Sequence, residues 1–248
     1  MKVIVLAAGY ATRLYPLTEG RPKALLPVGG RPILEHLLDR LTLLPVITGV
    51  IIVTNHRFAG PFGSWAKMIR KYPWRIEVVD DHTSSNENRL GAMGDLAFTI
   101  RQKKIVHEDL LVLAGDNLFD FDLLPFHAFG IRNRPHACVA VFDVRDKLLA
   151  RRYGLVRLAG DGKVLEFMEK PEQPATTLAS CGIYWFPDEV CVLLDRYLAG
   201  GHNADQPGHF MRWLAENDAV YALALNGMWY DIGDFESYRN ADIAYRAF

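Results

Sequence analysis

Met1-Lys2-Val3-Ile4-Val5-Leu6-Ala7-Ala8-Gly9-Tyr10-Ala11-Thr12-Arg13-Leu14 opens the chain, and Arg21-Pro22-Lys23 follows it closely. The apolar run predicts a buried strand over Val3–Leu6. It ends in small residues and a glycine. Small side chains let a backbone approach a ligand closely, and successive N–H groups at such a turn form an anion-binding nest. Arg13 adds a planar fork of donors for phosphate oxygens, and Lys23 a compact positive charge. Leu6, Ala8, Gly9, Thr12 and Arg13 are therefore candidate nucleotide-binding residues, with Lys23 beside them. Neither G-x-x-x-x-G-K-[ST] nor G-x-G-x-x-G occurs, which disfavours a P-loop NTPase and a standard dinucleotide site.

Outward from this segment, similar apolar runs recur at Val50–Thr54, Ile76–Val79 and Leu110–Ala114. Each is continuous rather than alternating, as in strands covered on both faces. Helix candidates lie between them. Ile33–Leu44 repeats Leu34, Leu37, Leu38 and Leu41 at helical spacing behind Pro32, and Met93–Lys104 and Phe62–Lys71 follow. Beyond Ala137 come strands at Val139–Val144, Tyr153–Leu158, Val164–Met168, Gly182–Phe186 and Val220–Leu225. Ala159-Gly160-Asp161-Gly162 makes a hairpin turn. Helices are predicted at Glu189–Leu198, Gly208–Asn217 and Phe235–Arg246, with Asp205 and Asp234 as caps for the last two. The expected fold is a single α/β domain over 1–248. Its form is a Rossmann-like three-layer α/β/α sandwich with a mostly parallel mixed central sheet. The chain divides into an N-terminal half over about 1–135 and a C-terminal half over about 136–248.

Bulk properties exclude other classes. The net charge of −1 over 248 residues gives no basic field for nucleic acid. No apolar run approaches a membrane span, and the N-terminus lacks a cleavage-site pattern. Cys138, Cys181 and Cys191 have no C-x-x-C spacing, which points to reduced thiols and a cytoplasmic setting. The eight histidines show no zinc-ligand spacing. Arg151–Arg152 and Lys103–Lys104 read as solvated charge pairs.

Two carboxylates stand out. Leu111-Val112-Leu113-Ala114-Gly115-Asp116-Asn117 puts Asp116 just past a buried strand, where open α/β sheets gather their ligands. Gly227-Met228-Trp229-Tyr230-Asp231-Ile232-Gly233-Asp234 gives Asp231 bulky neighbours that fix it and a glycine that leaves room. Hard oxygen ligands of this kind suit Mg2+, which needs only one or two carboxylates.

The pattern L-A-[AG]-G-x-x-T-R-L-x-P-L-T followed by P-K-x-L-L-P resembles the signature of the sugar-1-phosphate nucleotidylyltransferases, in their glucose-1-phosphate thymidylyltransferase-like form. Here it runs from Leu6 to Thr18, then through Pro22-Lys23-Ala24-Leu25-Leu26-Pro27. The resemblance implies that the glycine loop, Arg13 and Lys23 hold the phosphates and that Asp116 and Asp231 hold Mg2+. Arg13, Lys23 and Asp116 are the implied catalytic residues. It also implies that Tyr153-Gly154-Leu155-Val156, Phe167-Met168-Glu169-Lys170-Pro171 and Ser180-Cys181-Gly182-Ile183-Tyr184 line the sugar-phosphate pocket. There Glu169 can accept from sugar hydroxyls, Lys170 can neutralise the phosphate, and Gly154 and Gly182 permit close approach. The base-side loop falls at Asn88, Leu90 and Gly91, where Ala92 replaces the family's threonine. Asp116-Asn117-Leu118-Phe119 resembles the thymidylyltransferase G-D-N-x-F and favours dTTP or UTP. No hexapeptide β-helix follows the signature, and a homo-oligomer is compatible with it.

The implied partners are a nucleoside triphosphate and a sugar-1-phosphate, without nucleic acid or membrane. A sugar-phosphate oxygen would attack the α-phosphorus in line and pyrophosphate would leave. A phosphate nucleophile is already ionised, so positioning and charge neutralisation carry the catalysis. Two enzyme readings stand beside this one. A cytidylyltransferase would act on a phosphoalcohol such as phosphocholine. A glycosyltransferase would use Asp120-Phe121-Asp122 as a D-x-D metal motif. A sensor that has lost turnover would lack the metal carboxylates, and both are present.

Overall fold

A computed structural model describes residues 1–246. The N-terminal half runs β1 (Lys2–Leu6), β2 (Pro27–Val28), β3 (Arg31–Pro32), α1 (Ile33–Leu41), β4 (Gly49–Thr54), α2 (His56–Met68), β5 (Ile76–Asp80), α3 (Ala92–Lys103), β6 (Leu110–Ala114), β7 (Asn117–Phe119) and α4 (Leu124–Arg132). The C-terminal half continues with β8 (Ala137–Asp143), α5 (Lys147–Ala150), β9 (Gly154–Leu158), β10 (Val164–Glu169), β11 (Leu178–Phe186), α6 (Asp188–Ala199), α7 (Pro207–Asn217), β12 (Val220–Ala224), β13 (Trp229–Asp231) and α8 (Phe235–Arg246).

A nine-stranded sheet follows the order β10-β9-β11-β6-β1-β4-β5, with β8 on β11 and β12 on β8. β1 pairs in parallel with β4 and β6, and β4 with β5. β11 runs antiparallel to β6 and β8. The sheet is therefore mixed and draws strands from both halves. Successive side chains of β1 face opposite ways, as the two-residue period of a strand requires. Val3 and Val5 join the cluster built with Leu34, Leu37, Phe58, Phe62 and Phe126 of α1, α2 and α4. Ile4 joins the cluster built with Met93, Leu96, Val190, Leu194 and Phe210 of α3, α6 and α7. Helices thus cover both faces, which is the expected three-layer sandwich. No helix among the described residues is long and apolar enough to cross a membrane. All three cysteines are free.

Several boundaries differ from expectation. α2 begins at His56, well before Phe62. Gly60, Pro61 and Gly63 disfavour a helix by propensity. Packing overrides them: Phe58, Phe62 and Trp65 bury one face, and the Asn55 side chain caps the start by accepting from Phe58 N at 3.2 Å. α1 stops at Leu41, short of Leu44, because Leu43 points into solvent. β11 begins at Leu178, with a register shift between Ser180 and Tyr184 around Gly182. Asp205 does not cap α7; Gln206 holds that position and makes no side-chain capping bond, because Asp205 is drawn to Arg89 instead. Asp234 does cap α8: its Oδ1 accepts from Ser237 N at 2.8 Å, and Ser237 Oγ accepts from Asp234 N at 3.0 Å.

Gly130 in α4 lies against the fully buried Trp185, and an added Cβ would overlap the indole ring. Alanine usually stabilises a helix interior relative to glycine. Here overpacking dominates, so Gly130→Ala is expected to lose about 1–3 kcal/mol in urea unfolding. A gain in stability would contradict this packing.

Candidate functional site

The parallel register sets Leu6 beside Val53 and Ala114. The segments that follow β1, β4 and β6 therefore emerge together at the carboxyl edge of the sheet, where ligands bind in open α/β folds. The loop after β1 is held by its neighbours. Asn55 Nδ2 donates to Ala8 O at 2.8 Å, Thr54 Oγ1 to Ala7 O at 3.1 Å, and Thr18 Oγ1 to Ala11 O at 2.8 Å. Gly115 N donates to Leu6 O at 2.9 Å, and a Cβ on Gly115 would crowd Ala7 at 3.2 Å. The result is a small chamber of about 90 Å³ lined by Leu6, Ala7, Gly9, Ala11, Lys23, Gly115 and Asp116.

Lys23 crosses this chamber. Its Nζ donates to Asp116 Oδ2 at 2.6 Å and to Ile232 O at 2.8 Å. Asp116 and Asp231 come together through a two-strand ladder, β7 against β13, in which Asn117 faces Asp231. Ile232 N donates to Asp116 O at 3.1 Å. Asn117 is buried, donating to Cys181 O at 2.8 Å and accepting from Trp229 Nε1 at 3.1 Å. Burial, and then the neighbouring Asp116 charge, push the Asp231 carboxyl up to about 6 against the pull of Lys23. Asp116 and Asp231 are the carboxylates here that could hold a divalent cation, and hard oxygens of this kind suit Mg2+.

A second chamber of about 250 Å³ opens on the far side of Asp116. Gly154, Glu169, Lys170, Gly182 and Asp231 line it, together with Arg152 and Trp229. Glu169 lies across Gly154 and Gly208, and a Cβ at either position would run into its Oε2. Gly182 has φ +66°, and a Cβ there would stand 2.6 Å from Asn117 Nδ2, so the bulge in β11 needs glycine.

Other candidates lie apart. Ala8 is buried, while Thr12 and Arg13 are exposed on a single helical turn, and none of the three lines either chamber. Asn88 is exposed, and its Oδ1 accepts from Ser84 N at 3.1 Å and Ser85 N at 3.0 Å. Leu90 and Gly91 line neither chamber. Gly91, at φ +79°, packs on the backbone of Ala204 and Asp205. Arg89 clamps this loop through Asp205, with Nε–Oδ1 at 2.8 Å. Arg152 is exposed, as read from the sequence, and it also borders the second chamber and pairs with Asp234. Its adjacency to Tyr153-Gly154 was the available signal. Asn55 carried none, because its role depends on a distant segment; Asn117 and Trp229 stood in the quoted motifs, but the bond between them did not show there. Asp120 and Asp122 do not form a D-x-D metal site. Asp120 Oδ1 accepts from Met228 N at 2.6 Å, and Asp122 Oδ1 accepts from Leu124 N at 2.8 Å.

The fold is one shared with enzymes that act on nucleotides. A structure described as a putative glucose-1-phosphate thymidylyltransferase from Bacillus anthracis, in complex with a sucrose, superposes with a TM-score of 0.81 at 24% identity, covering 100% of this chain and 96% of that one. A structure described as a UDP-glucose pyrophosphorylase from Acinetobacter baumanii gives 0.79 at 20% identity, covering 98% and 92%. The chain belongs to the nucleotidyl transferase family, whose model matches residues 2–247. It is 30% identical to a putative mannose-1-phosphate guanyltransferase of Sulfolobus acidocaldarius, over 94% of this chain and 60% of that protein. It is 28% identical to the UTP–glucose-1-phosphate uridylyltransferase AglF of Haloferax volcanii, over 94% and 91%. Against the bifunctional protein GlmU of Methanocaldococcus jannaschii the figure is 26%, over 94% of this chain and 51% of the relative. The chain thus spans about half the length of the GlmU proteins it matches.

Asp81, just after β5, and Asp95, in α3, form a second acidic pair. Asp81 and Asp95 are 4% and 5% exposed, and Asp81 Oδ2 and Asp95 Oδ1 lack hydrogen-bond partners. Burial, followed by the charge of Asp81, pushes the Asp95 carboxyl up to about 8. The folded protein therefore keeps a proton that the unfolded chain releases near about 4. The stability this contributes is full at acid pH and falls as pH rises toward 8. Asp95→Asn removes this titration. Urea unfolding is expected to find the variant more stable than wild type at pH 8 by at least about 1 kcal/mol, with the difference closing by pH 4. Parallel stability–pH curves would contradict the raised proton affinity of Asp95.

Proposed function

We propose that the protein transfers a nucleoside monophosphate from a nucleoside triphosphate to a sugar-1-phosphate and releases pyrophosphate. The observation that carries this reading is the position of Asp116, which lines both chambers. A group there touches the triphosphate on one side and the sugar phosphate on the other, so the two substrates meet at its carboxylate.

Asp116 and Asp231 would hold Mg2+, which when bound supplies positive charge at the α-phosphate oxygens. The backbone at Leu6, Ala8, Gly9 and Thr12 would receive the triphosphate, and Arg13 the departing pyrophosphate. Arg13 is exposed on the single helical turn that follows Gly9, and a long side chain there can fold over an anion. Lys23 would bridge the two phosphates. Asn88, Leu90 and Gly91 would frame the base. Glu169 would accept from the sugar hydroxyls and Lys170 would pair with the sugar phosphate, while Gly154 and Gly182 keep the wall open.

dTTP or UTP with glucose-1-phosphate is the favoured substrate pair. Support comes from Asp116-Asn117-Leu118-Phe119 and from the uridylyltransferase description of the Haloferax relative. One observation favours the phosphoalcohol alternative. Tyr153 and Trp229 stand 4.9 Å apart in the wall of the second chamber, and aromatic faces of this kind attract quaternary ammonium groups.

The test is a panel of nucleoside triphosphates against sugar-1-phosphates and phosphoalcohols with Mg2+, measured as pyrophosphate. Release of free nucleoside diphosphate from a nucleotide sugar, with no pyrophosphate from any pair, would overturn the reading. With the best pair, Asp116→Asn is expected to lose at least about a hundredfold in turnover.

A further inference from the structure

Strands β1, β4, β5 and β6 run parallel, so their carboxyl ends meet at the phosphate chamber and their amino ends face away from it. At that opposite edge lies another cleft, of about 550 Å³. Its floor is the outermost strand, β5, and its sides are the end of α2 and Lys103 at the end of α3. A nucleotide fits such a volume, since small-molecule sites span roughly 300–1,000 Å³. No residue of this cleft lines either chamber of the transferase site.

Two features set its chemistry. One wall is aromatic: Tyr72 and Trp74 stack with ring centroids 5.2 Å apart and an interplanar angle of 11°. The wall is braced, because Tyr72 Oη donates to Asp39 Oδ1 at 2.9 Å and lies 3.1 Å from Glu35 O. The other feature is charge. Lys67, Arg70, Arg75 and Lys103 line the cleft, and Glu77 is the one acid among its lining residues. Glu77 is already engaged by Lys103 at 2.7 Å and by Arg75 at 3.8 Å. An excess of cations is thus gathered in one place on a chain whose net charge is −1. Paired cations next to a planar aromatic face suit a ligand that carries both a phosphate and a flat ring.

We propose that this cleft is a second ligand site that takes a nucleoside phosphate. The base lies along the Tyr72–Trp74 wall, and the phosphate sits among Lys67, Arg70 and Arg75. Binding here needs no turnover, so the proposal stands or falls separately from the transferase reading.

The test follows the indole N–H signals of the five tryptophans by NMR while AMP is added to the full chain. Trp74→Phe assigns the Trp74 signal, and Trp229 reports on the transferase cleft. The Trp74 signal is expected to shift saturably. Reversing charge in an Arg70→Glu/Arg75→Glu variant should weaken that midpoint at least about tenfold and leave the Trp229 response unchanged. Inorganic phosphate should shift Trp74 only at higher concentration, because it lacks the ring. A Trp74 signal that never moves would overturn the proposal. So would an unchanged midpoint after charge reversal, or inorganic phosphate that matches AMP.

Discussion

The short ladder between β7 and β13 is the contact on which the site depends. Each strand has three residues, yet pairing Asn117 with Asp231 brings Asp116 and Asp231 together from opposite ends of the chain. The ladder is anchored sideways. Asn117 joins the β11 backbone at Cys181 and the Trp229 indole through its two amide atoms. A buried amide satisfied on both sides costs little to bury, whereas losing either partner would strand a polar group. Asn117 therefore fixes the register, and the register fixes the acids.

Burying Asp231 and setting it beside Asp116 work against folding, and the raised proton affinity of Asp231 expresses both, burial first. Lys23 offsets part of this by reaching across the first chamber to Asp116. The cluster is thereby suited to exchange one positive partner for another. The same lysine donates to Ile232 O, which ties the acids to the loop that leads into α8. α8 in turn packs beneath the opening loop, with Ala241 and Ile232 in one cluster with Leu14, Leu26 and Val28.

The parallel core was legible in the sequence because strands covered on both faces must be continuously apolar, and Val3–Leu6, Val50–Thr54 and Leu110–Ala114 are. The hairpin at Ala159–Gly162 was legible because its turn needs a residue with positive φ, which Gly162 supplies at +86°. The start of α2 was not, since Gly60-Pro61 opposes the helix that Phe58, Phe62 and Trp65 impose through packing. β7 and β13 were not, because three residues cannot show a period. The D-x-D reading failed because Asp120 and Asp122 satisfy backbone N–H groups of their own neighbourhood. Arg152 is exposed as expected, but its place beside a cleft was not legible, because a charge pair looks the same in sequence whether it faces bulk water or the mouth of a cleft. For the candidate site, the loop, Lys23 and the two acids could be named in advance. What could not be named was the lattice of neutral side chains, Thr18, Thr54, Asn55 and Asn117, that holds them in place.

If Asp116 and Asp231 together hold one divalent cation beside the opening loop, a titration with Mn2+ as a paramagnetic stand-in, followed by water proton relaxation with nucleoside triphosphate present, finds one site in the wild-type protein. Affinity is then reduced at least about tenfold in Asp116→Asn and again in Asp231→Asn. Undiminished Mn2+ binding in either variant would contradict it.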